Sequence, residues 1–164
     1  MTSFGRIDTP VGVLGVLSDG RAVTAVGWRT TAPPEADARP DEVLVAALRQ
    51  LDEYFAGMRR AFDVPIDLGE RSEAVRAVLT TLFTTVGYGE SLTYGELAAR
   101  SGTGVPARAI GAVMGSNPIP IIVPCHRVLA SDGLGGYSGG EHGNGLVTKR
   151  WLLEKEGALP AALF

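Results

Sequence analysis

Hydrophobic residues in the first part of the chain fall in short runs separated by turn residues. Runs of this length that are rich in β-branched and aromatic residues are typical of β-strands. The Asp19-Gly20 pair between the second and third runs predicts a hairpin. The three runs are Phe4–Thr9, Val11–Leu17 and Ala22–Trp28.

The apolar spacing becomes helical after a proline-rich loop. From Asp41 the hydrophobic residues recur on one stripe as far as Phe55, and Gly57 indicates the end of this helix. The stretch Phe62–Leu68 returns to a β-type composition, and we expect it to form a further strand.

The remainder of the chain has the spacing of helices. Ser72 is a candidate N-cap for a helix that Gly87-Tyr88-Gly89 ends, and Thr93 to Glu96 form a capping box that opens a short helix to about Arg100. Pro106 begins a second short helix, from Ala107 to about Met114. A final helix is predicted at about Leu146–Glu156.

These elements predict an α+β protein in two parts. A small amino-terminal β-sheet with helix is followed by a mostly helical carboxy-terminal part. The two short helices on either side of the turn 101–104 are compatible with a helix-turn-helix, although helical hairpins in ordinary cores share this pattern.

Composition limits the classes of function. The 164 residues carry a net charge of −3 and include one cysteine and two histidines, which excludes an internal disulfide and argues against a structural zinc site. Residues 92–164 hold six basic and five acidic side chains, so a nucleic-acid partner is compatible with this part alone. No apolar run is long enough for a membrane span and the amino terminus lacks a signal-peptide pattern, so we expect a cytoplasmic protein without a membrane partner.

Cys125 stands beside His126 in a proline-flanked, β-branched run. The thiolate is the reactive form of cysteine, and an imidazole with a pKa of about 6.5 can take the proton of a thiol whose pKa is about 8.5. The pair therefore suggests a positioned nucleophile. A buried, inert cysteine beside a surface histidine is the alternative for an arbitrary Cys-His pair.

Several segments together resemble the O6-alkylguanine-DNA alkyltransferases, also called methylated-DNA–protein-cysteine methyltransferases. The resemblance covers most of residues 73–157, in order and with near-family spacing. The matching segments are Thr93–Ala98, Ala107–Gly111, Asn117–Val128, Gly136–Gly140, Lys149 and Trp151–Gly157. The resemblance implies a variable ribonuclease-H-like α/β domain at residues 1–70. It also implies an alkyltransferase domain at residues 71–164, with a helix-turn-helix and a Pro-Cys-His-Arg loop.

The activity that the resemblance implies is DNA repair by direct reversal. The alkyl group of O6-alkylguanine would move from duplex DNA to Cys125 after the base is flipped out of the helix. The thioether product has no labile bond, so each molecule would act once, and neither a cofactor nor a metal is needed. Acceptance of O4-alkylthymine stays open.

The resemblance also implies roles for single residues. His126 would activate Cys125 through a water, Glu156 would orient the imidazole, and Tyr94 would donate to the purine as charge develops. An isolated glutamate at a helix end is commonly solvated, but the Glu-Gly pair at family spacing favours the functional role.

The substrate pocket follows from the same resemblance. The main chain at Cys125 and Val128 would accept the guanine amine, the amide of Ser138 would donate to O6, and Tyr137 would form a wall. Asn117 would tie the helix-turn-helix to the active-site loop. Lys149 is also expected to be one of the substrate-binding residues.

The expected partner is double-stranded DNA, entered from the minor groove by the second short helix. Arg108 resembles the finger that fills the gap left by the flipped nucleotide. Ala107, Thr93 and Gly111 are expected to lie against the DNA. We expect a monomer, and cooperative binding along DNA stays open.

The chain departs from the family between Gly140 and Lys149. Eight residues lie there, against about three in the family, and their glycines and polar side chains suggest a mobile loop. We expect this segment to alter which alkyl groups fit the pocket.

Three other functions stay as alternatives. A non-catalytic relative that only flips alkylated guanine would lack the acceptor cysteine, which is present here. A Cys-His hydrolase would need a regenerable acyl-enzyme and partner residues from distant segments. A transcriptional regulator would need a dimer interface or an effector domain.

Overall fold

The computed structural model describes residues 1–159, which fall into two compact units divided between Gly69 and Glu70. In the first unit a three-stranded antiparallel sheet has the order β1-β2-β3, and one helix packs on it. Its elements are β1 (Ser3–Thr9), β2 (Gly12–Ser18), β3 (Val23–Gly27) and α1 (Glu42–Phe55).

The sheet and helix of the first unit share one apolar core. Leu14 and Val16 of β2 and Leu44 and Leu51 of α1 are fully buried. These helical positions are spaced seven residues apart, so they lie on the same face of α1. The antiparallel pairing of β2 with β3 confirms the predicted hairpin, and α1 confirms the predicted helix.

Residues 62–68 do not form the strand that their composition predicted. They make a single bridge to β3, in which Val23 donates to Pro65 O at 2.9 Å and accepts from the amide of Asp67 at 2.9 Å. Pro65 has no N–H to donate, so the ladder cannot continue through it. This expectation was wrong.

The second unit is mostly helical, as predicted. Its elements are α2 (Glu73–Thr85), β4 (Leu92–Thr93), α3 (Tyr94–Ser101), α4 (Ala107–Gly115), a 3₁₀ turn (Cys125–Arg127), β5 (Val128–Leu129) and α5 (Gly145–Lys155). The parallel pair β4–β5 joins Leu92 to Val128, so the start of α3 lies beside the end of the Cys-His turn.

The predicted helix starts are confirmed by their caps. The Ser72 side chain accepts from the amide of Val75 at 3.2 Å. At α3 the Thr93 hydroxyl accepts from the amide of Glu96 at 3.1 Å, and the Glu96 carboxylate accepts from the amide of Thr93 at 3.0 Å, which completes the capping box. Helices α3 and α4 pack together across residues 102–106 as a helix-turn-helix.

The lengthened segment before Lys149 is not all loop. Residues 145–148 form the first turn of α5, and Thr148 donates to Asn144 O at 2.9 Å. The preceding turn closes with a bond from the amide of Asn144 to Glu141 O at 2.8 Å. Four of the eight residues between Gly140 and Lys149 therefore belong to a helix. None of the helices within residues 1–159 has the length and hydrophobicity that crossing a bilayer requires.

We expect Asp41→Ala to destabilise the first unit by about 2 kcal/mol. The Asp41 carboxylate accepts from the amide of Leu44 at 2.7 Å, from the Ser3 hydroxyl at 2.6 Å and from the Ser18 hydroxyl at 3.0 Å. It therefore caps α1 and ties the helix to two strands. Urea unfolding measures the effect. Asp52→Ala, at an exposed site on the same helix, is the control. Equal losses for the two variants would contradict the role given to Asp41.

Candidate active site

The segment that leads into Cys125 is pinned by Asn117. The Asn117 side chain donates to Val123 O at 2.8 Å and accepts from the amide of Ile119 at 3.0 Å. Between these anchors Ile121 has φ of 73°, a left-handed conformation that is costly for a β-branched residue. The Asn117 contacts and the tight turn therefore fix the main chain just before the thiol.

Cys125 is a buried thiol at the start of the 3₁₀ turn. Only 6% of its surface is exposed. Burial raises the pKa of the thiol, and hydrogen bonding from Asn117 and the charge of Lys149 oppose that rise only in part. Cys125 is therefore a neutral thiol at pH 7 in the resting protein.

Glu156 is fully buried and is shared by two side chains of the Cys-His turn. His126 Nε2 lies 2.7 Å from Glu156 Oε2, while Arg127 Nε donates to Oε1 at 2.8 Å and Arg127 Nη2 to Oε2 at 3.2 Å. Burial alone would raise the pKa of Glu156. The hydrogen bond from His126 and the hydrogen bonds and charge of Arg127 outweigh burial and hold this pKa well below its usual range.

His126 is oriented by Glu156 and is itself neutral. Burial lowers its pKa, and the charges of Arg127 and Lys149 lower it further against the opposing effect of Glu156. A neutral ring that contacts the Glu156 carboxylate through Nε2 must carry its proton there, so Nδ1 keeps its lone pair. Nδ1 is buried and has no hydrogen-bond partner within residues 1–159.

Lys149 is a buried cation that joins two main-chain segments. Its Nζ donates to Val128 O at 2.7 Å and to Gly136 O at 2.9 Å. Burial lowers the pKa of Lys149 to about 8, and ionisation of Cys125 would oppose this shift. The ammonium group therefore holds β5 against residues 133–140, the glycine-rich loop.

A cavity of about 490 Å³ opens onto Cys125 within the second unit. This volume is in the range of sites that hold small organic molecules. One wall comes from α4, another from the glycine-rich loop, and Tyr94 stands at the start of α3. The lining residues are Tyr94, Ala107, Arg108, Gly111, Met114, Gly115, Cys125, Val128, Gly136, Tyr137 and Ser138.

Tyr94 is held against the glycine-rich loop. Its hydroxyl accepts from the amide of Gly136 at 3.2 Å. The neighbouring Gly135 has φ of 72°, and a Cβ there would collide with the Tyr94 hydroxyl. Glycine is therefore required for this close approach. The bond leaves the phenolic proton of Tyr94 available to a molecule in the cavity.

Eight of the predicted site residues line this cavity and five lie elsewhere. Thr93 caps α3, and Asn117 and Lys149 brace the walls from outside. His126 and Glu156 form the buried contact described above. The extra segment before Lys149 does not contribute to the lining, so its expected effect on alkyl-group size receives no support from direct contact.

Sequence reasoning missed Arg127, Met114, Gly115 and Gly136. Arg127 is 5% exposed although arginine is usually a surface residue, and its position next to His126 was the only available signal. Met114 and Gly115 line the cavity because they lie one turn beyond Gly111, on the same face of α4. Within residues 1–159 no group of three or more His, Cys, Asp and Glu side chains converges to hold a metal.

The fold and site define a protein with a helix-turn-helix beside a buried Cys-His-Glu cluster. Two family models match the chain. The "6-O-methylguanine DNA methyltransferase, DNA binding domain" matches residues 72–158, and the "ribonuclease-like domain" of the same description matches residues 3–68. The chain therefore belongs to the 6-O-methylguanine DNA methyltransferase family, which confirms the resemblance drawn from the sequence.

Individual relatives agree with this assignment. The methylated-DNA–protein-cysteine methyltransferase of Mycobacterium tuberculosis is 39% identical over 160 residues, which cover 95% of this chain and 93% of the relative. The Mus musculus protein of the same name is 34% identical and covers 94% and 81%. The crystal structure of M. tuberculosis O6-methylguanine methyltransferase is 38% identical, covers 99% and 98%, and has a TM-score of 0.79. M. tuberculosis OGT in complex with DNA has a TM-score of 0.81 at 37% identity and covers 97% and 96%.

We expect Glu156→Gln to cost about 3 kcal/mol of stability at pH 7, because it leaves the Arg127 charge buried without its anion. The pKa of Glu156 is lowered on folding, so its contribution is present above the unfolded value of 4.5 and is lost as the pH falls below it. The difference in the free energy of unfolding between the wild type and Glu156→Gln should therefore narrow below about pH 4.5. Thermal unfolding at several pH values measures it.

Glu154→Gln, two residues earlier on the same helix and half-buried, is the matched control. A stability difference between the wild type and Glu156→Gln that does not change with pH would show that the buried carboxylate is not ionised in the folded protein. A similar loss for Glu154→Gln would show that the effect is not specific to the buried ion pair.

Proposed function

We propose that this protein repairs DNA by transferring the alkyl group of O6-alkylguanine to Sγ of Cys125. The observation that carries the proposal is the buried thiol at the wall of a base-sized cavity, backed by His126 and Glu156. Membership of the family and the activity named for its relatives support the same conclusion.

The chemical step is an in-line displacement at the alkyl carbon. The thiol proton passes through a water to Nδ1 of His126, and the sulfur forms a bond to carbon as the bond from carbon to guanine O6 breaks. The bonding electron pair goes to the purine, which takes a proton from the Tyr94 hydroxyl. The imidazolium of His126 then gives its proton to solvent and the Tyr94 phenolate takes one from solvent, so both side chains return to their starting state and the products are a thioether and unalkylated guanine. The thioether cannot be cleaved by the same site, so each molecule acts once.

Ionisation of the thiol belongs to the reaction and not to the resting state. The thiol and the imidazole are both neutral at rest, by the pKa directions given above. Glu156 stabilises the imidazolium that forms when the proton moves. The ammonium of Lys149 favours the thiolate electrostatically.

The base is proposed to enter the cavity with its edge toward main-chain groups. The carbonyls of Cys125 and Val128 would accept the guanine amine, the amide of Ser138 would donate to O6, and Tyr137 would cover one face. Val128 O already accepts from Lys149, but a carbonyl oxygen has two lone pairs and can accept a second donor. Lys149 and Asn117 would then act on the substrate through the walls that they brace.

DNA is the partner of this protein, and we propose that it is engaged through α4. Arg108 lines the cavity and makes no ion pair within the described residues. It is therefore available to fill the gap that a flipped nucleotide leaves. Ala107 and Gly111 are exposed and small, which suits close approach to a minor groove. Binding as a monomer, cooperativity and a cytoplasmic location stay predictions.

Intact-mass measurement after incubation with an O6-methylguanine duplex tests the transfer. We expect one methylene equivalent on the peptide that contains Cys125, at most one per protein molecule, and none in Cys125→Ser. Product formed in excess of protein would indicate a hydrolase. Tight binding without a mass change would indicate a protein that only flips the base.

We expect Arg108→Ala to slow duplex repair by at least about tenfold, or about 1.4 kcal/mol, because no side chain then fills the gap that the flipped nucleotide leaves in the base stack. Reaction with free O6-benzylguanine should change little, since no base stack has to be opened. Arg6→Ala, which removes an exposed positive charge from β1, controls for net charge. Equal losses on both substrates would show that Arg108 is not a finger.

A further inference from the structure

Arg127 makes more contacts with the buried cluster than the proposed chemistry requires. In addition to its two bonds to Glu156, its Nη1 donates to Val86 O at 2.7 Å, at the carboxyl end of α2. Its side chain is only 7% exposed. Arg127 thus links the last turn of α5 to the end of α2 and fixes both oxygens of the Glu156 carboxylate.

The cluster contains one anion and one permanent cation. An arginine keeps its proton at all accessible pH values, so Arg127 already balances the charge of Glu156. Within residues 1–159 Glu156 is the only carboxylate that hydrogen-bonds His126 or Arg127. A protonated His126 would therefore be a second buried cation without an anion of its own.

We infer that Arg127 is a positioning residue: by holding and neutralising Glu156, it keeps His126 uncharged, with its proton on Nε2 and the lone pair of Nδ1 free. This inference rests on the proposed function only where it concerns the rate of alkyl transfer. The charge and tautomer of His126 are properties of the resting protein.

The effect on pH dependence follows from the charges around His126. Among the described residues, Glu156, the C-cap of α5, and Lys149 of that helix act on His126, together with Arg127 of its own turn. The Tyr137 phenol interacts with Glu156 and with the neighbouring Cys125 thiol. The reactive form of the thiol–imidazole pair holds one proton, and the form with two is inactive. Removal of the Arg127 charge favours binding of the second proton. The acidic limb of the rate profile therefore moves to higher pH.

Nitrogen-15 NMR of the imidazole rings tests the inference without any substrate. The chain has only two histidines, so His142→Gln assigns the signals. In the wild type we expect His126 to be neutral at pH 7, with the proton on Nε2. In Arg127→Met the midpoint of its titration should rise by about one pH unit or more. Arg127→Lys keeps the charge and should hold the midpoint near that of the wild type.

The wild-type spectrum alone can overturn the inference, even if Arg127→Met fails to fold. A protonated His126 at pH 7, or a neutral ring with its proton on Nδ1, would do so. An unchanged midpoint in folded Arg127→Met would show that Arg127 has only a structural role.

The rate of reaction with free O6-benzylguanine provides the second readout. On the acidic side of the profile Arg127→Met should be slower by about tenfold or more, and a higher pH should recover most of this loss. A loss that is equal at all pH values would overturn the inference. If the wild type transfers no alkyl group at all, the proposed function fails, and the NMR result still decides the state of His126.

Discussion

The buried carboxylate of Glu156 is the constraint on which the candidate active site depends. A carboxylate without solvent contact is costly unless its charge is balanced and its oxygens are hydrogen-bonded, and His126 and Arg127 meet both needs. Because these two residues directly follow Cys125, satisfying Glu156 also fixes the turn that carries the thiol. The position of the Cys125 thiol is thus set by the ion pair behind it.

Other contacts in the second unit position the residues around the thiol relative to that ion pair. Asn117 fixes the approach of the chain to Cys125, and the β4–β5 pair carries Tyr94 to the side of Val128. Lys149, four residues after the start of α5, binds Val128 O and Gly136 O and so joins two walls of the cavity. Helix α5 therefore contributes Lys149 to the walls near its start and Glu156, its C-cap, to the ion pair.

Local patterns in the sequence were sufficient to predict most of the fold and part of the candidate site. Caps such as Ser72 and Thr93 were predictable because they depend on neighbours within one helical turn. The strand predicted at residues 62–68 does not form because Pro65 lies in its middle. The prediction gave more weight to the β-type composition of this stretch than to its proline. The burial of Arg127 was not predictable, because it depends on α2 and α5, which are distant along the chain. The final helix, predicted from about Leu146, begins at Gly145, so the loop expected between Gly140 and Lys149 is shorter than its glycines suggested.

A double-mutant cycle on Arg127 and Glu156 tests the central claim most directly. The free energies of unfolding of the wild type, Arg127→Met, Glu156→Gln and the double variant are compared under one set of conditions. If the two charges compensate each other inside the protein, each single change leaves one charge unpaired, and the double variant recovers about 2 kcal/mol or more relative to the sum of the single losses. Additivity within about 0.5 kcal/mol would contradict the account.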